Sequence, residues 1–449
     1  MRCQAGWLAA LSLVVITALA APAPDAAALP ATAAPNEAWL AALLDNGSRL
    51  LDPAQADPDW HIPTVLADTP AASEKAAPLR EMQRLETALS SHVAMARTGG
   101  WPMVPESADL QPGDRDPVVA QLRKRLRISG DYTAEMGADP WLFDSDMDAA
   151  VRRFQTRHGL AVTGVFDAAA RAAANVSVED RIGQLAVTLE RWRWLPRELG
   201  ERHVWINVGS STLDVFAAGQ SILGMRVIVG HPDRATPSLA GELRQVVFNP
   251  TWSVPRTIAV EDLLPRQVED PTFLASRGFR IFRGNGAAER AVNPAAVDWA
   301  RLGPDNFPYR LRQNAGPGNS LGRIKIAWDN PYDIYLHDTP SKGLFALGRR
   351  TLSSGCVRLE DAAALATLLL EQDRPWNAAE THARVNGAAT QVINLRQRLP
   401  VYIVYLTAWV AQDGAVHFRR DIYGRDAKVL AALRGIGVSG RVSVPVFTY

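Results

Sequence analysis

Up to about Trp194 the apolar residues recur at helical spacing, and beyond Arg202 they switch to strand-like runs. Leu79, Met82, Leu85 and Leu89 share one helical face, and Gly99-Gly100 breaks the pattern, so residues 37–104 read as a helical scaffold. Asp116-Pro117 supplies an N-cap with proline at the first helical position, and Val119, Leu122 and Leu126 then share a face. Ser145 or Asp146 can cap a second helix carrying Ala150, Val151 and Phe154, which Gly159 ends, and Asp167 can cap a third. Residues 105–176 thus predict a small three-helix unit, with His158 as a cation at a helix C-terminus. Ile182, Leu185 and Leu189 mark a connecting helix within 177–201.

Val204–Val208, Thr212–Phe216 and Leu223–Val229 alternate like strands, with a hairpin connection at Ala217–Gln220. Gln245–Phe248, Asp333–Leu336 and Val401–Leu406 are further strand candidates. The predicted class is α+β multidomain, with a mostly antiparallel β domain over 202–385. A segment of weak periodicity, 255–322, rich in Pro, Gly and Arg, reads as an insertion or lid. Residues 386–449 read as a C-terminal strand and scaffold segment.

Charge and composition narrow the class. With 48 Lys+Arg against 47 Asp+Glu, a formal net charge of +1 gives no bulk attraction for nucleic acid. A positive start, an apolar run from Trp7 to Ala20 and small residues at Ala18 and Ala20 predict a signal peptide over 1–20, an exported, periplasmic protein and no membrane segment after cleavage, with an uncleaved N-terminal anchor as the alternative. An Ala/Pro-rich linker, 21–36, follows. Of the 2 cysteines, Cys3 leaves with such a signal, which excludes a disulfide and a four-thiolate zinc site in the mature chain. The sequence has no His-Glu-x-x-His, no Cys-x-x-Cys and no Gly-rich phosphate loop, so no metal or cofactor is expected.

Cys356 is then the candidate nucleophile. It stands in Ser353-Ser354-Gly355-Cys356-Val357-Arg358, a turn whose backbone amides can face an oxyanion. A helix from about Glu360 would favour a thiolate just ahead of its N-terminus. His337, which ends a predicted strand in Tyr335-Leu336-His337-Asp338-Thr339-Pro340, is the candidate base. His231, His382 and His417 lie in less suggestive settings.

Two resemblances follow from these motifs. Leu110-x-x-Gly113, Val119-x-x-Leu122 and Phe154-Gln155-x-x-His158-Gly159-Leu160 resemble the peptidoglycan-binding-like domain of wall enzymes. His337 followed by Ser353-x-Gly355-Cys356-x-Arg358 resembles the L,D-transpeptidase family with the YkuD-type catalytic domain, a β-sandwich. Glu190–Pro196, Val247–Trp252, Phe307–Gln313 and His337–Lys342 extend the likeness to its large periplasmic YcbB-like subgroup, in which 255–322 corresponds to a capping insertion.

The resemblance implies cross-linking of two peptidoglycan stem peptides through their third residues, by way of a Cys356 thioester and with release of D-alanine. His337 would be the base. Arg358, Ser353, Ser354 and the Gly355–Cys356 backbone would shape the oxyanion or substrate site, and Tyr335 would line the substrate path. Stem peptides are the implied partners, as acyl donor and acceptor, along with other wall-synthesis proteins. The alternatives are an L,D-carboxypeptidase trimming tetrapeptide stems and a non-catalytic wall-binding protein.

Overall fold

The computed structural model describes residues 37–45, 49–63, 77–135 and 139–436. The expected signal peptide and the expected linker lie outside these residues. Among the described residues no helix is long and apolar enough to cross a membrane.

The helical part is organised around Val178–Arg193, which is buried along most of its length. It packs on Ala77–Arg97 and on Arg425–Ile436. Its Arg191 side chain donates to Asp426 at 2.5 Å and to Asp57 at 3.3 Å. One buried guanidinium thereby joins an N-terminal turn, the central helix and the C-terminal helix. Nearby, Glu190 Oε1 accepts from the Leu50 and Leu51 amides, both at 2.8 Å, and from the Trp194 indole at 2.9 Å.

The three-helix unit comprises Pro117–Ile128, Ser145–His158 and Ala168–Ala174. Asp116 and Asp167 cap as expected, but the second helix is capped by Asp144, whose carboxylate accepts from Met147 N–H at 2.9 Å. A carboxylate one position earlier reaches the third amide of the helix, which Ser145 and Asp146, already inside the first turn, cannot do. Gln155 gives the Phe-Gln motif a physical role. Its amide accepts from Thr163 and Gly164 N–H and donates to the Val165 carbonyl, pinning the following turn to the helix.

The β domain is a single sheet that closes on itself. From Ser238–Phe248 the neighbours run Ile324–Ala327, Leu336–His337, Val357–Leu359, Gln220–Gly230, Thr212–Ala217, Arg202–Asn207 and Gln391–Val404. The last strand pairs back onto Ser238–Phe248, so the two walls of the sheet face each other. Inward residues such as Val204, Val215, Val229, Phe248, Ile326, Leu336, Val357 and Ile403 fill one core with the apolar face of the helix Ala362–Glu371.

Most pairings are antiparallel. Two in the ring are parallel, 204–207 with 401–404 and 336–337 with 357–358, because long crossovers separate those strands in the chain. The sheet is open without Gln391–Val404, so the β domain extends past the expected limit at residue 385. Of Asp333–Leu336, only Leu336 pairs as a strand; Asp333 has a φ of 52°.

The expected insertion is more regular than its composition suggests. Trp252–Ser253, Tyr309–Gln313, Phe279–Arg283 and Arg290–Val292 form a separate four-stranded sheet. Short helices between Arg256 and Ser276 cover it, and Trp252, Leu263, Leu274, Ile281, Trp299, Phe307 and Leu311 make its own core. It therefore begins at Trp252 and not at 255.

Replacing Arg191 with alanine leaves Asp57 and Asp426 buried without their shared cation. The expected loss is about 3–5 kcal/mol, read as a lower urea midpoint with unchanged m-value.

Candidate active site

Strand register brings the candidate residues to one face. In the parallel pair, Leu336 lies opposite Val357 and His337 opposite Arg358. Side chains alternate along a strand, so Cys356 and Arg358 share one face, and Tyr335 and His337 share the matching face of their neighbour. On the other side of His337, Lys325 is its antiparallel partner. The intervening residues Ile326, Leu336 and Val357 point into the core. Lys325, His337 and Arg358 therefore form a row across three strands, with Cys356 and Tyr335 one step along it.

The turn ahead of Cys356 is held from within and from behind. The Ser353 hydroxyl donates to the Cys356 carbonyl at 2.5 Å and accepts from the Gly355 amide at 3.2 Å. Gly355 has a φ of 111°, which side-chain-bearing residues rarely adopt. Behind it, the buried Thr236 hydroxyl donates to the Gly355 carbonyl and accepts from Gly230 N–H, both at 2.8 Å. His231 N–H donates to the Ser353 carbonyl at 2.8 Å. Ser354 is exposed, and its hydroxyl accepts from Arg234 at 3.0 Å. Arg234 also pairs with Glu261 and Asp262, at 2.5 and 2.6 Å, which ties the turn to the capping unit.

Tyr335 stands between the groups of the row. Its ring meets that of His337 edge-on at 5.7 Å, and Lys325 Nζ lies 3.9 Å from its centroid. Trp252 and Cys356 both act on its hydroxyl, which burial and the thiol hold well above the ordinary phenol range. Since Trp252 belongs to the core of the capping unit, against which Tyr335 also packs, Tyr335 joins that unit to the thiol.

Two stretches of the chain match known families. Residues 201–393 match the YkuD family, "L,D-transpeptidase catalytic domain", and residues 115–173 match "Putative peptidoglycan binding domain". The chain carries a YkuD L,D-transpeptidase catalytic domain. A curated relative from Haemophilus influenzae, named "Putative L,D-transpeptidase", is 37% identical over 254 residues, which is 56% of this chain and 50% of that one. The chain thus spans about half the length of this relative. Among solved structures, an L,D-transpeptidase from Mycobacterium smegmatis is 14% identical, with 45% of this chain and 58% of that chain covered at a TM-score of 0.19. Another, from Stackebrandtia nassauensis, is 13% identical, with 68% and 96% covered at 0.22. Superpositions this loose carry no structural argument.

In this L,D-transpeptidase domain the resting pair is neutral. Burial pushes the Cys356 thiol up, while the Tyr335 amide and hydroxyl, Lys325 and Arg358 pull the other way. Burial and the Arg358 guanidinium push His337 down to about 3. The thiol points at the Asp333 carbonyl at 3.7 Å, and His337 Nδ1 lies 2.5 Å from the Asp338 carbonyl. The Leu321 backbone also acts on the ring. The expected helix dipole is not what acts on the sulfur. The strand Val357–Leu359 separates Cys356 from the helix, which starts at Ala362 with Asp361 as its cap.

Several roles differ from expectation. Ser353 and the Gly355 amide are occupied within the turn, and Ser354 faces Arg234. Lys325, Thr236 and Arg234 are not among the residues the sequence marks for the site, and Trp252 enters there only as the end of the Val247–Trp252 motif. Lys325 carries a usable signal of its own, a lone cation between Ile324 and Ile326. Lys325 and Arg358 have no ion-pair partner among the described residues, and no cluster there could hold a metal.

Two titrations check these electrostatics. Alkylation of Cys356 by iodoacetamide should have a midpoint above the ordinary thiol value of about 8.5, and Lys325→Met should raise it further. For His337, the unfolded chain binds the ring proton below about 6.5 and the folded chain only near its lowered value. Stability therefore falls as pH drops through that window and is recovered as pH rises again. Melting temperature should fall less from pH 7 to pH 4 in His337→Gln than in the parent.

Proposed function

We propose that the protein is an exported peptidoglycan L,D-transpeptidase. The observation that carries this reading is the row itself: His337 in register between Lys325 and Arg358, Cys356 on the same strand face as Arg358, and no ion-pair partner for either cation among the described residues, inside a domain of that family. The substrate is an anionic stem peptide, which suits Lys325 and Arg358. The peptidoglycan-binding match over 115–173 supports a wall substrate.

The chemistry follows from the resting state. As the Cys356 sulfur attacks the carbonyl between the third and fourth stem residues, His337 takes the thiol proton. Attack and proton transfer proceed together because neither the thiolate nor the imidazolium is favoured alone in the buried row. Tyr335, Lys325 and Arg358 stabilise the negative charge that develops, and of the expected Gly355–Cys356 backbone the Cys356 amide serves the oxyanion, since Ser353 holds the Gly355 amide. The imidazolium returns its proton to the departing amine of D-alanine, leaving a thioester. The side-chain amine of a second stem's third residue then attacks the thioester, its proton passes to His337 and then back to the sulfur, and the new amide is the cross-link. The capping unit, joined to the site through Trp252–Tyr335 and Arg234, excludes water from the thioester.

Disaccharide-tetrapeptides incubated with the chain and analysed by mass spectrometry should give cross-linked dimers, lost in Cys356→Ala. Tripeptides alone would make it an L,D-carboxypeptidase, and an unchanged mixture would sink the enzyme reading. His337→Ala should slow acylation by about 10²–10⁴-fold with the fold retained. Wild-type acylation in that variant would remove His337 from the mechanism.

A further inference from the structure

A cavity of about 600 Å³ lies where the three-helix unit meets Ala77–Arg97, Val178–Arg193 and the hairpin Ala408–Val410/Val416–Phe418. None of its lining residues belongs to the Cys356 site. Its volume is that of a small-ligand pocket. Of the five arginines that line it, Arg152 pairs with Asp148 and Arg153 donates to the Asp131 carbonyl, which leaves Arg125, Arg157 and Arg181 as the largely buried ones.

Their charge is not compensated. Asp131 is spent on Arg157, which it holds by two bonds of 2.5 Å. Arg125 is 1% exposed and Arg181 5% exposed. Arg125 Nε donates to the Ala174 carbonyl and its plane lies 3.9 Å from the Trp101 ring centroid, yet Nη1 has no partner among the described residues. Arg181 donates from both terminal nitrogens to Gln184 and the Ala173 carbonyl, lies 4.5 Å from the Phe418 ring centroid, and leaves Nε unpartnered. Asp180 acts on Arg181 from the neighbouring turn, and Asp413 lies exposed at the rim with its carboxylate on the Ala415 amide.

The surrounding histidines register the same excess. His92 and His158 each bond a backbone carbonyl through Nδ1 at 2.8 Å, and burial together with the three arginines pushes both down. His158 is therefore neutral and not the helix-terminal cation expected from the sequence. Arg125 and Arg181 are each pushed down to about 9, by burial and by the neighbouring cations. Guanidinium keeps its proton, so the excess positive charge persists and requires an anion.

We propose that this cavity is a second substrate site, which takes the carboxylates of a wall peptide on Arg125 and Arg181 and its apolar part against Trp101 and Phe418. Planar guanidinium groups suit carboxylates, and the aromatic walls suit the rest of a peptide. The site would hold one strand of the wall while Cys356 works on another stem. The choice of ligand rests on the transpeptidase reading; the anion site itself does not.

The test uses the full chain. Calorimetric titration of Cys356→Ala with a disaccharide-tripeptide should show binding that weakens at least tenfold when the peptide carboxylates are amidated, and at least tenfold in Cys356→Ala/Arg181→Met. Equal affinity in either comparison overturns the proposal. Arg181 is buried, so a measurement without a variant accompanies it: citrate should raise the melting temperature of the parent chain more than sodium chloride at equal ionic strength, and an equal rise overturns the anion site. Acylation of Cys356 by a soluble tetrapeptide should be unchanged in Arg181→Met, and a loss there in a folded variant overturns the separation of the two sites. Failure of the parent to acylate would strike the transpeptidase reading alone and leave the citrate comparison standing.

Discussion

The parallel pairing of Leu336–His337 with Val357–Arg358 is the constraint on which the chemistry depends. A shift of one residue would turn His337 or Cys356 into the core and bring Leu336 or Val357 out. The core forbids that shift, because Ile326, Leu336 and Val357 are packed inside a closed sheet. Closure in turn depends on Gln391–Val404, which joins Arg202–Asn207 to Ser238–Phe248. The hydrophobic core therefore sets the position of a polar row that lies on the opposite face of the same strands.

In the proposed mechanism that row serves proton transfer during reaction, not a standing ion pair. Desolvation works against both ions, raising the thiol and lowering the imidazole. Lys325, Arg358 and the Tyr335 hydroxyl are placed to stabilise negative charge when it appears. Preorganised donors in a water-poor site act in this way at little reorganisation cost. The capping unit contributes through Trp252 and Tyr335, and through Arg234 with Glu261 and Asp262.

Uncompensated cations recur in two places. At the Cys356 row, Lys325 and Arg358 lack ion-pair partners among the described residues; at the helical junction, Arg125 and Arg181 share too few carboxylates. Both sites suit an anionic polymer, and they belong to different parts of one unit. The buried Arg191, which has two carboxylates of its own, shows the contrasting case of a guanidinium used to hold elements together.

Local chemistry made much of this legible in the sequence. Caps at Asp116 and Asp167, the Phe-Gln turn, the alternating strands after Arg202 and the Ser-x-Gly-Cys-x-Arg turn depend on neighbours in the chain, and local rules read them. Cys356 and His337 stood out by residue type and context. Sequence alone did not show that Ser353 would spend its hydroxyl inside the turn, that a strand would stand between Cys356 and the helix, or that Lys325, Trp252 and Thr236 would reach the site. Nor did it show that Gln391–Val404 would close the sheet, or that Arg125 and Arg181 would meet across the helical junction. Those outcomes arise between residues far apart in the chain, where register, closure of the sheet and burial of charge decide which side chains meet.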